Sequence, residues 1–439
     1  MKTKYLLIII YLYAFLIFCD SVFRKWVFQS LSHVIMGMKI IISIIIVLGG
    51  FRYIAKYATS WEKSFAFVGI IVFLTALVFG HGNIFVAFYG CLPFWFGLTV
   101  SIVIGRVLST KNILNIGKCI VYLSIINSFI TIIQFTLPPS HFLNYRGAEV
   151  DERIANADIG DLSGAFRPVG IFMSTGFASL FVALALSFIL YFLFIRVGYI
   201  KKKVLYIALI LCVVASIAST SRSTIFWIIA VSIYFLYAVN NKRILYNLTK
   251  GLFILIPCFI IFLSTSYGNK AITNMGNRFE NASHSVEATS TTNSQFVDLF
   301  NRGILYNIKA IVEPQTLDGK SVPFFGFGQG MSTQVGGKIL GISKNAGFAL
   351  AEWDGLRIVC ESGLLFGWII LFIREFYVWR FIPKIVVWRR NKRYLLLMIF
   401  PSLLLSFYPS FTWGNLTNAH FAFFVAGMFL CIKRERYKI

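Results

Sequence analysis

Apolar runs of roughly 15 to 25 residues follow one another along almost the whole chain, each about the length needed to cross a ~30 Å hydrocarbon layer. No other feature constrains the fold as strongly. Of 439 residues, 58% are hydrophobic, and mean hydropathy is +0.77. A soluble domain has no interior that hides so much apolar surface, whereas a bilayer solvates it. The runs are continuous, not alternating, which selects helices over a barrel. The first run, Tyr5 to Cys19, lacks a small-residue cleavage site, and Leu16-Ile17-Phe18-Cys19 is a poor lipobox, so it reads as a retained helix.

Twelve spans are expected, at 5–19, 33–50, 64–80, 84–105, 113–137, 170–195, 204–219, 224–240, 251–265, 356–373, 394–408 and 419–432. The expected fold class is an all-α polytopic integral membrane protein. Charge orients it. With both termini in the cytoplasm, the cytoplasmic segments hold 25 Lys and Arg against 3 acids, while the outer segments hold 13 of each sign. The net charge of +24 is therefore mostly a cytoplasmic-face charge, as the positive-inside rule requires. It implies anionic lipid headgroups as neighbours, not nucleic acid. The chain divides into helices over 1–137, an outer loop over 138–169, helices over 170–265, a large outer loop over 266–355, and helices with a basic tail over 356–439.

The two outer loops mix charged residues with Asn, Gly, Ser and Thr, as folded caps do. Within the larger one, Ser283 to Ser294 is rich in Ser and Thr. The stretch 295–312 carries apolar residues at near-helical spacing, which predicts an amphipathic helix on the bundle or membrane surface. No Cys pair has zinc-site spacing and the five His are scattered, so no metal site or disulfide framework is expected. Gly326-Phe327-Gly328-Gln329-Gly330 lacks the Lys-Ser/Thr of a phosphate loop; its glycines serve either tight turns or close backbone approach. No internal repeat is visible. Cytoplasmic loops such as Arg374 to Arg393 are basic, and Lys39 and Lys118 lie within spans without an assigned partner.

Three arginines sit at the outer ends of spans. Arg167 opens Arg167-Pro168-Val169-Gly170, Arg222 lies in the turn Ser219-Thr220-Ser221-Arg222-Ser223, and Arg357 is one turn into the tenth span. Guanidinium is permanently charged and forks onto phosphate oxygens, so arginines converging there would make a pyrophosphate cradle. Each also has a packing alternative: headgroup contact for Arg222, helix capping for Arg167 and pairing with Glu361 for Arg357. Positive charge at a helix start opposes the dipole, which favours a ligand role for Arg167. Glu352, Asp354 and Glu361 are the candidate catalytic acids or bases. Asp354, Arg357 and Glu361 share one face if a helix begins near Glu352. The alternatives are negative charge at a helix N-terminus and a structural ion pair.

The order of these pieces resembles the O-antigen ligase and O-antigen polymerase superfamily of bacterial polysaccharide assembly. Arg167-Pro168-Val169-Gly170-Ile171-Phe172 resembles the family's Arg-x-x-Gly start to a mid-chain span, and Ser219 to Ser223 its Ser-Arg turn. A large outer loop containing Phe325-Gly326-Phe327-Gly328 follows, then Glu352 to Arg357 and Glu361-Ser362-Gly363-Leu364-Leu365-Phe366-Gly367. The resemblance covers roughly residues 160–370. Ligases carry a His near the end of the large loop; here that place reads Trp353-Asp354, which favours a polymerase. The resemblance implies metal-independent glycosyl transfer between undecaprenyl-pyrophosphate-linked oligosaccharides at the outer face of the inner membrane, with no cofactor. A chain-length regulator is a further expected partner. Transfer to lipid A core, or transport of a lipid-linked or small anionic substrate, are the alternatives.

Overall fold

The computed structural model describes residues 1–145, 167–239, 246, 264–266, 268–270, 272–274, 321–341, 354–408 and 416–435. All but the last two residues of the expected span at 251–265, the Ser/Thr-rich stretch 283–294, the expected amphipathic helix at 295–312 and Glu352 lie outside the described residues. The described residues form helices and no strand. In chain order they are α1 (Thr3–Val22), α2 (Ser32–Gly49), α3 (Phe51–Tyr57), α4 (Ser60–Val78), α5 (Ile84–Leu92), α6 (Leu98–Val107), α7 (Thr110–Thr136) and α8 (Thr175–Leu190). After these come α9 (Lys202–Ala218), α10 (Arg222–Val239), α11 (Gln334–Ile339), α12 (Asp354–Trp379), α13 (Ile385–Arg390), α14 (Tyr394–Phe407) and α15 (Leu416–Arg434).

Among the described residues, six helical stretches are long and apolar enough to cross a membrane: Thr3–Val27, Ser60–Val78, Ile84–Val107, Thr110–Thr136, Thr175–Ile195 and Asp354–Arg390. The pair Val34–Gly49 and Phe51–Tyr57, bent by 65°, raises the number to as many as seven. Ser223–Val239 and Tyr394–Phe407 are shorter apolar helices. The chain is thus an α-helical multi-pass membrane protein. Local chemistry sets several helix starts. Thr59 and Glu62 form a capping box on α4, and the side chains of Asn83, Ser109 and Ser174 accept from first-turn N–H groups of α5, α7 and α8.

Inter-helix contacts fix two ends of the bundle. At one end Lys25 meets Gly170, Phe135 meets Ala218, and Phe79 stacks on Phe325. At the other, Arg106 lies over Tyr57 and Arg393 reaches the carbonyls of Ile432 and Lys433. α6 and α15 run side by side with a glycine opposite a bulky side chain on each: a Cβ on Gly105 would lie 2.7 Å from Leu430, and one on Gly427 2.5 Å from Ile104. Small residues at such crossings let backbones approach in the absence of a hydrophobic drive between helices in lipid.

Lys39 finds partners that spacing along one helix does not reveal. Lys39, on α2, is fully buried; its Nζ donates to Asp20 Oδ2 of α1 and to Thr417 Oγ1 of α15, both at 2.6 Å. Arg24 Nη1 also reaches Asp20, at 3.4 Å. Lys118, by contrast, is exposed on α7. Arg374 is not part of a basic loop: it is fully buried within α12.

The expected single span at 356–373 is broken. Gly363 has φ 78° and ψ 173°, far from helical values. Asp354 and Arg374 are ion-paired, although twenty residues of straight helix would hold them roughly 30 Å apart. A Cβ on Gly367 would lie 2.7 Å from the Cα of Val359. α12 is therefore a hairpin whose two arms, 354–362 and 364–379, lie against each other. The longer arm packs along α4, with Trp61 stacked on Phe376 at 5.2 Å between centroids.

Beyond the last helix, Glu435 ties α15 to the start of α7. Its Oε2 accepts from the N–H of Thr110 at 2.9 Å and from the Thr110 hydroxyl, and Arg434 donates to Oε1 at 3.0 Å. Burial raises the pKa of this carboxyl, but the Thr110 and Arg434 hydrogen bonds outweigh it, leaving Glu435 below the ordinary carboxylate range. A depressed pKa stabilises the fold above the unfolded value, and the contribution disappears as pH falls through the folded value. The difference in thermal stability between wild type and Glu435→Gln is expected to be constant near neutrality. It should shrink toward zero as pH drops below about 4, in melts recorded across that range.

Candidate functional site

Two places gather the residues singled out in the sequence. The first is the tip of the α12 hairpin. Breaking a helix strands carbonyls at the break. Here the glycine-rich segment 325–330 supplies the missing donors: the N–H of Phe327 donates to Cys360 O and that of Gly328 to Glu361 O, each at 2.9 Å. A Cβ on Gly363 would lie 2.1 Å from the carbonyl oxygen of Phe324, so the approach is backbone to backbone. Gln329 links the tip to α5, accepting from Ser362 Oγ at 2.8 Å and donating to Gly90 O at 3.2 Å. His81 Nε2 contacts Gln329 O at 3.1 Å. Irregular backbone at membrane depth is tolerated where protein buries it, and this segment provides the cover.

From this tip a chain of charges runs along the hairpin. Glu361 Oε1 accepts from the N–H of Ser332 at 2.9 Å and from the Ser332 hydroxyl. Its Oε2 accepts from Arg357 Nη1 at 3.2 Å. Arg357 also pairs with Asp354 Oδ1, through Nε at 2.7 Å and Nη2 at 2.6 Å. Asp354 Oδ2 pairs with Arg374. Arg374 Nε and Nη2 in turn donate to Phe407 O at 2.8 Å and Tyr408 O at 2.9 Å, where α14 ends and its carbonyls lack helical partners. The two acids and two guanidiniums balance in charge, and all four side chains are buried. Both oxygens of Asp354 and of Glu361 are engaged. A cavity of about 20 Å³ beside Arg357, lined also by Phe65, Tyr89, Gly90, Gln329 and Thr333, has room for roughly one water and none for a sugar ring.

The second place is the stretch leading into α8. Residues 167–174 are not helical, and polar side chains on α7 satisfy their backbone. Gln134 Oε1 accepts from Val169 N at 3.2 Å and Gly170 N at 2.8 Å, while Gln134 Nε2 donates to Gly170 O at 3.0 Å. Asn127 Oδ1 accepts from Ile171 N at 3.0 Å. Lys25, from the π-helical turn Phe23–Val27 after α1, donates to Gly170 O at 3.0 Å and Phe172 O at 2.9 Å. Arg167 stands at the head of this stretch, partly exposed.

α8 and α10 run parallel: Ser179 Oγ meets Thr224 Oγ1 at 2.6 Å and Ser223 Oγ at 3.2 Å near their starts, and Phe194 meets Phe235 further along. Arg222 is the first residue of α10. The turn before it places Thr220, a non-glycine residue, at φ 50°, a conformation that persists only where surroundings hold it. Two helix N-termini, each polarised positive, therefore lie together, with Arg167 upstream of one and Arg222 opening the other.

The structure thus brings Asp354, Arg357 and Glu361 together, and pairs the start of α8, which lies eight residues after Arg167, with the start of α10, which Arg222 opens. The contacts above do not join one group to the other. Sequence reasoning missed Arg374, Ser332, Gln329, Lys25, Asn127 and Gln134. Their common signal is a polar residue facing a helix interruption. Compared with protein-family models, with curated proteins and with solved structures, this chain matches none.

Proposed function

We propose that this protein joins lipid-linked glycan repeat units at the outer face of a bacterial inner membrane, as an O-antigen or capsular polysaccharide polymerase. In this reading the loop-bearing end of the bundle faces outward. The donor's polyprenyl tail lies in the bilayer, so its pyrophosphate sits at headgroup depth. A hydroxyl of the acceptor repeat attacks the anomeric carbon of the donor. The new glycosidic bond forms as the bond to the pyrophosphate breaks, and undecaprenyl pyrophosphate leaves with the bonding electrons. Arg167, Arg222 and the two helix N-termini neutralise it, which is the electrostatic task a metal performs in other glycosyl transfers. The proton of the acceptor hydroxyl passes to Glu352, since Asp354 and Glu361 have both oxygens engaged. Arg357, clamped between those two acids, then holds the hairpin together and leaves pyrophosphate binding to the other two arginines.

One observation carries this reading: the pairing of α8 and α10 at their starts through Ser179, Ser223 and Thr224. The test is deletion followed by complementation. Deletion should leave single repeat units on the cell surface. Arg167→Ala or Arg222→Ala, expressed at normal level, should lower elongation by about 10²- to 10³-fold, the usual effect of removing one transition-state donor. Full-length chains left on the carrier lipid would point to a ligase; normal elongation with both arginines replaced would sink the cradle.

A transport reading has its own support. A broken hairpin helix and buried ion pairs at 20–39 and 354–374 are features of carriers that rock about a site at membrane depth. It predicts substrate crossing the bilayer with no new glycosidic bond.

A further inference from the structure

We infer that Lys25 is a positioning residue for Arg167, fixing that guanidinium by pinning the unwound stretch just after it. The inference rests on the proposed role of Arg167 as a pyrophosphate ligand. Gly170 is held from all sides. Its N–H donates to Gln134 Oε1 at 2.8 Å, and its carbonyl accepts from both Gln134 Nε2 and Lys25 Nζ at 3.0 Å. Lys25 also takes the carbonyl of Phe172, at 2.9 Å. A Cβ at residue 170 would lie 2.1 Å from Asn127 Oδ1 and 2.6 Å from Thr131 Oγ1, and Gly170 has φ +66°. Between this pinned residue and Arg167 stand only Pro168, whose ring fixes its own φ, and Val169, which is 2% exposed. A displacement of Gly170 is therefore passed to Arg167 instead of being absorbed on the way.

Burying an ammonium is costly, and Lys25 is fully buried. A neutral amide would avoid that cost, but it offers two N–H groups to the ammonium's three, and a Gln side chain ends one bond short of Nζ, so it does not hold both carbonyls as well. An ammonium holds them together and adds positive charge beneath the stretch that carries Arg167. The π-helical turn Phe23–Val27 that presents Lys25 is a departure from regular helix of the kind found at functional positions. Lys25 donates to the backbone carbonyls of Gly170 and Phe172, so its effect runs through the backbone.

The experiment uses the full-length protein in nanodiscs with undecaprenyl pyrophosphate as probe. Arg167→Ala, Lys25→Met, Lys25→Gln and the double variant Lys25→Met/Arg167→Ala are compared with wild type. Lys25→Met should weaken binding roughly tenfold or more, the scale of losing hydrogen bonds to a charged group. Lys25→Gln, which keeps an N–H donor group and guards against misfolding in the Met variant, should weaken it less. The double variant should bind no worse than Arg167→Ala alone, because Lys25 acts only through that arginine; a purely structural role would make the two losses multiply. Hydrogen exchange is read in parallel, and amides 169–171 should exchange faster in both Lys25 variants while those of α14 are unchanged. Multiplying losses, or unchanged exchange at 169–171, overturns the inference. If wild type does not bind the probe, the pyrophosphate reading itself fails. The exchange result alone then decides whether Lys25 pins the stretch.

Discussion

Arg374→Met is expected to destabilise the fold by about 3–5 kcal/mol, the range for removing one partner of a buried ion pair. Arg374 and Asp354 are both fully buried, so the substitution leaves a carboxylate Oδ2 facing no solvent and the carbonyls of Phe407 and Tyr408 without their donors. The loss comes from unpaired groups, not from a lost attraction. Removing both charges, in Asp354→Leu/Arg374→Met, should therefore cost less than the sum of the single changes: no carboxylate is left without its arginine and Arg357 keeps Glu361, although the Phe407 and Tyr408 carbonyls still lack their donor. Thermal melts of the four proteins in one detergent form a double-mutant cycle. A double variant as unstable as the sum of the singles would contradict the pairing, and with it the hairpin geometry of α12.

Gly363→Val is expected to prevent the hairpin from closing. Two separate costs add. A β-branched residue at φ 78°, ψ 173° occupies a region reserved essentially for glycine, at roughly 1–3 kcal/mol. In addition, its Cβ would sit 2.1 Å from the carbonyl oxygen of Phe324 and 2.5 Å from the carbonyl carbon of Phe325, backbone atoms with no rotamer to yield. The glycine-rich segment must then leave the break, taking its hydrogen bonds to Cys360 and Glu361 with it. The expected readout is loss of protection from proteolysis around residues 321–341 together with a lower melting temperature. A protein with Gly363→Val that melts like wild type and resists cleavage there would show that the break is not where the structure puts it.

The class of fold was legible because apolar runs of membrane length leave no other solution. The Asp354, Arg357 and Glu361 contacts were legible for a similar reason: they are local, and helix spacing places them on one face. What escaped was everything set by contacts between distant segments. Gly363 interrupts a hydropathy profile that reads as one span, because hydropathy averages over a window and is blind to a single φ. The segment that satisfies the break lies more than thirty residues upstream, and only its glycines hinted at close approach. Arg374 looked like the first residue of a basic loop until the fold-back placed it beside Asp354. Lys25 and Gln134 carry no motif at all. Their partners are main-chain carbonyls and N–H groups, which every residue possesses, so no side-chain pattern marks the pairing. Lys39 could have been paired by a physical rule alone: an ammonium inside a span needs an acid, and Asp20 is the nearest acid across the α1–α2 turn.

The most direct test of the central claim uses purified protein in nanodiscs, given a lipid-linked repeat unit with chelator present. The account predicts one undecaprenyl pyrophosphate released for each glycosidic bond formed. It also predicts that both products disappear together in Arg167→Ala and Arg222→Ala. Reconstituted vesicles in which the substrate crosses the bilayer intact, with no pyrophosphate released and no bond made, would contradict it.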